Sequence, residues 1–217
     1  IPGSRALEEG EGAELQGRVL SELLAQPGAD GDAMRGQAAM LSRRMGQDAG
    51  IAFLVRCAHA FAAPFRERIL PPRARDLRAA LGLPGDEPDS WLTARIAEGA
   101  IADDLVRIVA ASGANWGTKT GLACADAMGR WLAADAPARA AMLGDLLGCF
   151  LTGKGELRAD FAGDKGRMTD CVDSAVRIVD AAQHLLATAA AMRVADELAA
   201  AWDLGGRLAE AYAVAKR

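Results

Sequence analysis

The chain has 217 residues, 51% of them hydrophobic and only 5% aromatic, with a formal net charge of −4 and a sequence pI of about 5.3. That length allows one large domain or two small ones, and a sizeable core. An alanine-rich, aromatic-poor composition suits helices packed through small residues and disfavours a β-sandwich. An acidic balance excludes bulk attraction to nucleic acid, so any such contact needs a local basic patch.

The chain opens "IPGSRALEEGEGAEL" without an initiator methionine and closes "LAEAYAVAKR" inside a helical pattern with no glycine after it, which reads as a piece of a longer protein. "EGAELQGRVLSELL" sets Leu15, Val19 and Leu23 with Leu20 and Leu24 on one helical face. "QPGADGD" breaks that helix and leaves Asp32 to cap a second, which runs to about Met45. Asp48 caps a third, "AGIAFLVRCAHAFAA", which is apolar nearly all round and so is expected at the centre, with Pro64 ending or kinking it. "PPRARDLRAALGLP" is a short helix between prolines, and "DEPDSWLTARIAEG" and "ADDLVRIVAASG" are two more. Asp103 and Asp104 sit early in the last of these, where the helix dipole favours acids.

"NWGTKTGLACADAMGRWLAA" begins as a loop and becomes helix near Thr120; "APARAAMLGDLLGCFL" follows with Pro137 in its first turn. From Thr169 onward the pattern is one very long helix, capped by Thr169 or Asp170 and weakened only at Gly205 and Gly206. There is no fixed-period repeat and no low-complexity linker. The whole reads as a single all-α domain over 1–217, with eight to ten helices, a long C-terminal helix and a small hairpin in 150–163.

Cys57, Cys124, Cys149 and Cys171 lie far apart in apolar helical patterns and form no CxxC, which reads as reduced cytosolic thiols buried as small hydrophobes. Only Cys57 has a close histidine, His59; with His184 the sole other, the histidines cannot complete a metal site, and no metal or cofactor is expected in this chain. No apolar run approaches the roughly twenty residues of a membrane span, and no signal peptide is present, so no membrane partner is expected. Trp91, Trp116, Trp131 and Trp202 read as core or rim anchors, with Trp116, in its glycine-rich loop, as the one open to a contact role. His184 reads as a helix-surface or core histidine, and no serine or cysteine has a base partner that would mark a nucleophile.

One stretch differs from the rest. "FLTGKGELRADFAGDKGR", 150–167, holds four glycines and the basic residues Lys154, Arg158, Lys165 and Arg167 among three acids. Lysines and arginines on such a loop can reach a phosphate backbone at low steric cost; a plain helix connection with solvated charges explains the same residues. The second glycine-rich loop, "GANWGTKTG", carries Lys119 but is not a phosphate-binding P-loop. That motif needs glycine directly before the lysine, where Thr118 stands, and a β-strand before the loop.

In chain order, "IPGSRALEEGEGAEL", "WGTKTG…RWLAA", "FLTGKGELR" and a long helix ending "AYAVAKR" resemble the AddA family, the helicase–nuclease subunits of bacterial AddAB double-strand break repair, within the UvrD-like superfamily 1 helicases. The resemblance covers essentially the whole chain and implies that it is the helical insertion called subdomain 1B. It also implies a cytoplasmic parent enzyme that uses ATP and magnesium to translocate on DNA, carries a RecB-type nuclease domain and pairs with AddB, with all catalytic parts outside these residues. Lys119, Lys154 and Arg158 match the family pattern and would face DNA. Relatives are more basic after this point, where this chain has Ala159 and Asp160, so the implied duplex binding is weak and salt-sensitive. A free-standing helical interaction module, unrelated to DNA, is the competing reading; a small-molecule-binding helical protein, the third, would need convergent polar groups that the sequence does not name.

Because neither "GTKTG" nor "GKGELR" fits a phosphate loop, added ATP should leave the thermal midpoint of the purified chain unchanged. An ATP-dependent rise would contradict that reading of both loops.

Overall fold

The computed structural model describes residues 9–61, 73–161 and 166–216. Among them every regular element is helical: ten α-helices, one short 3-10 turn and no β-strand. The chain is all-α, as its composition suggests. Its packing divides into two compact units, one formed by the segments up to Gly82 and from Val194 onward, the other by Leu83–Arg193, whereas the sequence alone reads as one domain. Pro64 lies outside the described residues.

The first unit contains α1 (Glu9–Leu24), α2 (Ala29–Met45), α3 (Gln47–Phe61), α4 (Ala74–Ala80) and the C-terminal part of α10 (Val172–Ala215). Leu15, Val19 and Leu23 of α1 are buried together with Met34, Leu41, Leu54, Leu204 and Leu208. Asp32 does not cap α2 but sits in its first turn, because the helix already begins after Gly28, whose φ is 88°. Gly31 permits this early start: a Cβ there would lie 1.8 Å from the Gln26 carbonyl oxygen. The Arg35 guanidinium donates to the Leu24 and Gln26 carbonyls at 2.7 and 2.9 Å, satisfying acceptors left open at the end of α1. Asp48 likewise lies in the first turn of α3 and not at its cap.

Helix α3 is not central. Leu54 is buried, but Ile51 is 39% exposed. A helix apolar all round offers no face that composition can select, and the fully buried Leu204 and Leu208 of α10 share this core. Arg78 of α4, only 3% exposed, pairs with Asp196 of α10 at 2.8 Å. A buried arginine needs such a partner to offset its lost hydration.

The second unit contains α5 (Pro88–Ala97), α6 (Ala100–Asn115), α7 (Lys119–Ala133), α8 (Ala136–Ala141), α9 (Leu143–Phe150), the 3-10 turn Thr169–Cys171 and the N-terminal part of α10. Ile101, Leu105 and Ile108 form the buried stripe of α6; Ala175, Ile178, Ala182, Ala189 and Met192 form that of α10. Alanines at three of those five positions leave room for close packing. Trp131 Nε1 donates to the Arg139 carbonyl at 2.9 Å, and Arg139 Nε donates back to the Trp131 carbonyl at 3.0 Å, which locks α8 onto the end of α7.

Asp104 ties α6 to α10. Its carboxylate accepts from Arg177 Nε and Nη2 at 2.9 and 2.6 Å and from Ser174 Oγ at 2.9 Å. Arg177 holds the Asp104 carboxyl below the usual carboxylate range, against the opposing effect of burial. A lowered folded-state pKa means that the stabilisation is present above the ordinary aspartate range and is lost as pH falls through the lowered value. Asp104→Asn should therefore lower the thermal midpoint at neutral pH, and the gap to the wild type should close on acidification. A gap of constant size down the acid limb would show that charge is not what the two helices share here.

Candidate functional site

The loop before α7 is built around Trp116. Its ring is fully buried, so the residue that the sequence left open to a contact role is a core anchor instead. Trp116 lies so close to the start of α7 that a Cβ on Gly121 would fall 2.2 Å from its backbone carbonyl oxygen and 2.4 Å from its indole Cγ. Thr118 caps the helix, its hydroxyl accepting from the Gly121 N–H at 3.0 Å. "GTKTG" is thus a tryptophan-packed helix cap. Lys119, the first residue of α7, is exposed.

The stretch after α9 is a tight turn. Leu151 and Leu157 form a single antiparallel bridge, the small remnant of the hairpin expected over 150–163. Inside it Thr152 N–H donates to the Glu156 carbonyl at 2.8 Å, and Gly155 takes a φ of 79°, a left-handed conformation that glycine adopts without strain. Lys154 is exposed at the tip. Arg158 is half-buried, with Nε and Nη2 donating to the Gly148 carbonyl at 3.3 and 2.9 Å. That hydrogen bonding satisfies an acceptor in the last turn of α9. Arg167 is exposed just before the 3-10 turn, and Lys165 lies outside the described residues.

Phe161 brings the two loops together. Its ring meets Trp116 edge-on, with centroids 5.2 Å apart and an interplanar angle of 79°, and lies 5.5 Å from Phe150 at the end of α9. Sequence reasoning singled out both loops but had no signal for this pairing, because Phe161 is one apolar residue in a charged stretch. Between α7 and α9 an open depression is lined by Lys119, Thr120, Cys124, Asp145, Gly148 and Cys149, among others. Lys119 on its wall and Arg158 bonded to Gly148 therefore belong to one surface. Asp145 in the depression and the exposed Glu156 on the turn offset part of that positive charge.

The remaining candidates lie elsewhere. His184 is exposed on α10. Among the described residues no three His, Cys, Asp or Glu side chains converge, and no helix is long and apolar enough to cross a membrane. Cys124, Cys149 and Cys171 are buried and Cys57 is half-buried, all as free thiols. Comparison with protein-family models, with curated proteins and with solved structures gives no match.

Two glycines of α7 make the Trp116 packing measurable. Gly121→Ala should destabilise the protein by about 1–3 kcal/mol through overpacking. Gly129→Ala, where a new Cβ meets nothing within 4 Å, should stabilise it by about 0.5–1 kcal/mol through helix propensity alone. Equal effects at both positions, read by denaturant unfolding, would remove Trp116 as the reason for the glycine.

Proposed function

We propose that this chain is a DNA-engaging helical subdomain, of the 1B type, from an AddA-like, UvrD-like superfamily 1 helicase of double-strand break repair. The observation that carries the reading is the meeting of the two glycine-rich loops. "GTKTG" and "FLTGKGELR", two of the four segments that carry the resemblance, are flanked by Trp116 and Phe161, whose ring centroids lie 5.2 Å apart. They present Lys119 and Lys154 to solvent from one supported base. Backbone phosphates need nothing more elaborate than exposed cations held at a fixed spacing.

On this reading the residues divide by role. Lys119, Lys154 and Arg167 contact phosphate, with Lys165 as a further candidate from sequence. Arg158 positions the turn through Gly148. ATP and magnesium would belong to the motor of the bacterial, cytoplasmic parent, as would the nuclease activity and the pairing with AddB. This subdomain would add no chemistry of its own and would steady the duplex beside the motor.

A titration of the purified chain with a short duplex, followed by fluorescence anisotropy over a range of salt, tests this. Binding should be weak at low salt, and log affinity should fall with log salt at a slope of about −0.9 per phosphate neutralised. Lys119→Ala combined with Lys154→Ala should weaken binding and flatten the slope by about 0.9 for each phosphate that is no longer neutralised. No binding at low salt, or an unchanged affinity in the double variant, would favour the helical interaction module instead.

A further inference from the structure

Two cysteines that are distant in sequence meet in the second unit. Cys124 of α7 and Cys149 of α9 both line the open depression beside Lys119. They are 7% and 4% exposed. The Cys149 thiol donates to the Cys124 carbonyl oxygen at 3.9 Å, which sets the two residues side by side. Both are free thiols, and neither Cys57 nor Cys171 lines the same depression. Two neighbouring cysteines lining an open depression form a different chemical object from two isolated buried hydrophobes.

We propose that Cys124 and Cys149 are a reversible dithiol, which a small peroxide entering the depression converts to a disulfide joining α7 to α9. Cys124 is the attacking group. Its thiolate bonds to one peroxide oxygen, the O–O bond breaks, and the departing hydroxide takes a proton to become water. The Cys149 sulfur then attacks the resulting sulfenic acid at the Cys124 sulfur. The S–S bond forms, the S–O bond breaks, and the hydroxyl leaves as water with the Cys149 proton. The two thiols together lose two electrons, and one peroxide becomes two waters.

The surroundings fit that division of labour. Burial pushes the Cys149 thiol up to about 12, with the neighbouring Cys124 adding to the rise, so its proton is still in place to leave with the sulfenic hydroxyl as water in the second step. Of the charged groups near Cys149, Arg158 lowers its pKa and Asp145 raises it, both by less than burial does. The bond would fasten α9 directly below the turn that carries Lys154. It is independent of whether that turn meets DNA.

The test uses the wild-type chain. It is treated with equimolar hydrogen peroxide, unfolded, alkylated and analysed by intact mass and peptide mapping. The expected result is the loss of two hydrogens, two alkylatable cysteines where the reduced chain has four, a Cys124–Cys149 linked peptide, and full reversal by dithiothreitol. Cys149→Ser should leave a sulfenic acid on Cys124 that dimedone traps, and Cys124→Ser should give neither product. Four alkylatable thiols after treatment, independent oxidation of single cysteines, or a link that includes Cys57 or Cys171 would overturn the proposal. The wild-type measurement decides it even if a variant fails to fold.

Discussion

The edge of the Phe161 ring against the Trp116 indole sets the geometry of the charged surface in the second unit. Trp116 fixes where α7 begins, because its ring occupies the space that a side chain at position 121 would need. Phe161 returns the chain to that ring after the turn at 151–157, and Phe150 closes the group from the end of α9. Large buried aromatics remove about 150–250 Å² each from water, and edge-on pairs add about 0.5–1.5 kcal/mol. In a chain with only 5% aromatic residues, placing three of them at one junction is a concentrated use of binding energy. The junction also has a cost: Trp116 Nε1 is buried without a hydrogen-bond partner, a penalty of about 1–3 kcal/mol. The hydrophobic packing must outweigh it.

The polar residues of the two loops follow from that base. Thr118 caps α7, Thr152 organises the turn through its neighbours' N–H groups, and Arg158 closes the end of α9. With those positions committed to structure, Lys119 and Lys154 are left pointing to solvent on a supported surface. Glu156 and Asp145 keep the local potential modest, in line with an acidic chain whose binding to a phosphate backbone would be weak and dependent on salt. The Cys124–Cys149 pair lies below the same surface, so a bond between α7 and α9 would act on its foundation and not on its charges.

Much of the fold was legible because long helices announce themselves by period. The stripe of α1 at Leu15, Val19 and Leu23 and the span of α10 follow directly from apolar spacing. Helix starts were less legible: Asp32 and Asp48 look like caps, but tight glycine packing, which leaves no periodic trace, lets α2 begin earlier. The centrality of α3 was misread because uniform apolarity carries no direction. For the candidate site, the sequence singled out the two loops by their glycines and charges but not their meeting through Trp116 and Phe161. It read Trp116 as a core or rim anchor but left it open to a contact role, since the partner that buries it lies some distance along the chain at Phe161. The thiol pair was invisible for the same reason: nothing in the spacing of Cys124 and Cys149 reveals that α7 and α9 lie side by side.

The measurement that bears most directly on this picture is a map of backbone amide chemical shifts as a short DNA duplex is added to the isotope-labelled chain at low salt. The shifts should change together at residues 117–121 and 152–158, two segments that the Trp116–Phe161 pairing helps to bring together. Changes confined to one of the two segments, or centred on the first unit, would contradict a shared DNA-facing surface built on that aromatic junction.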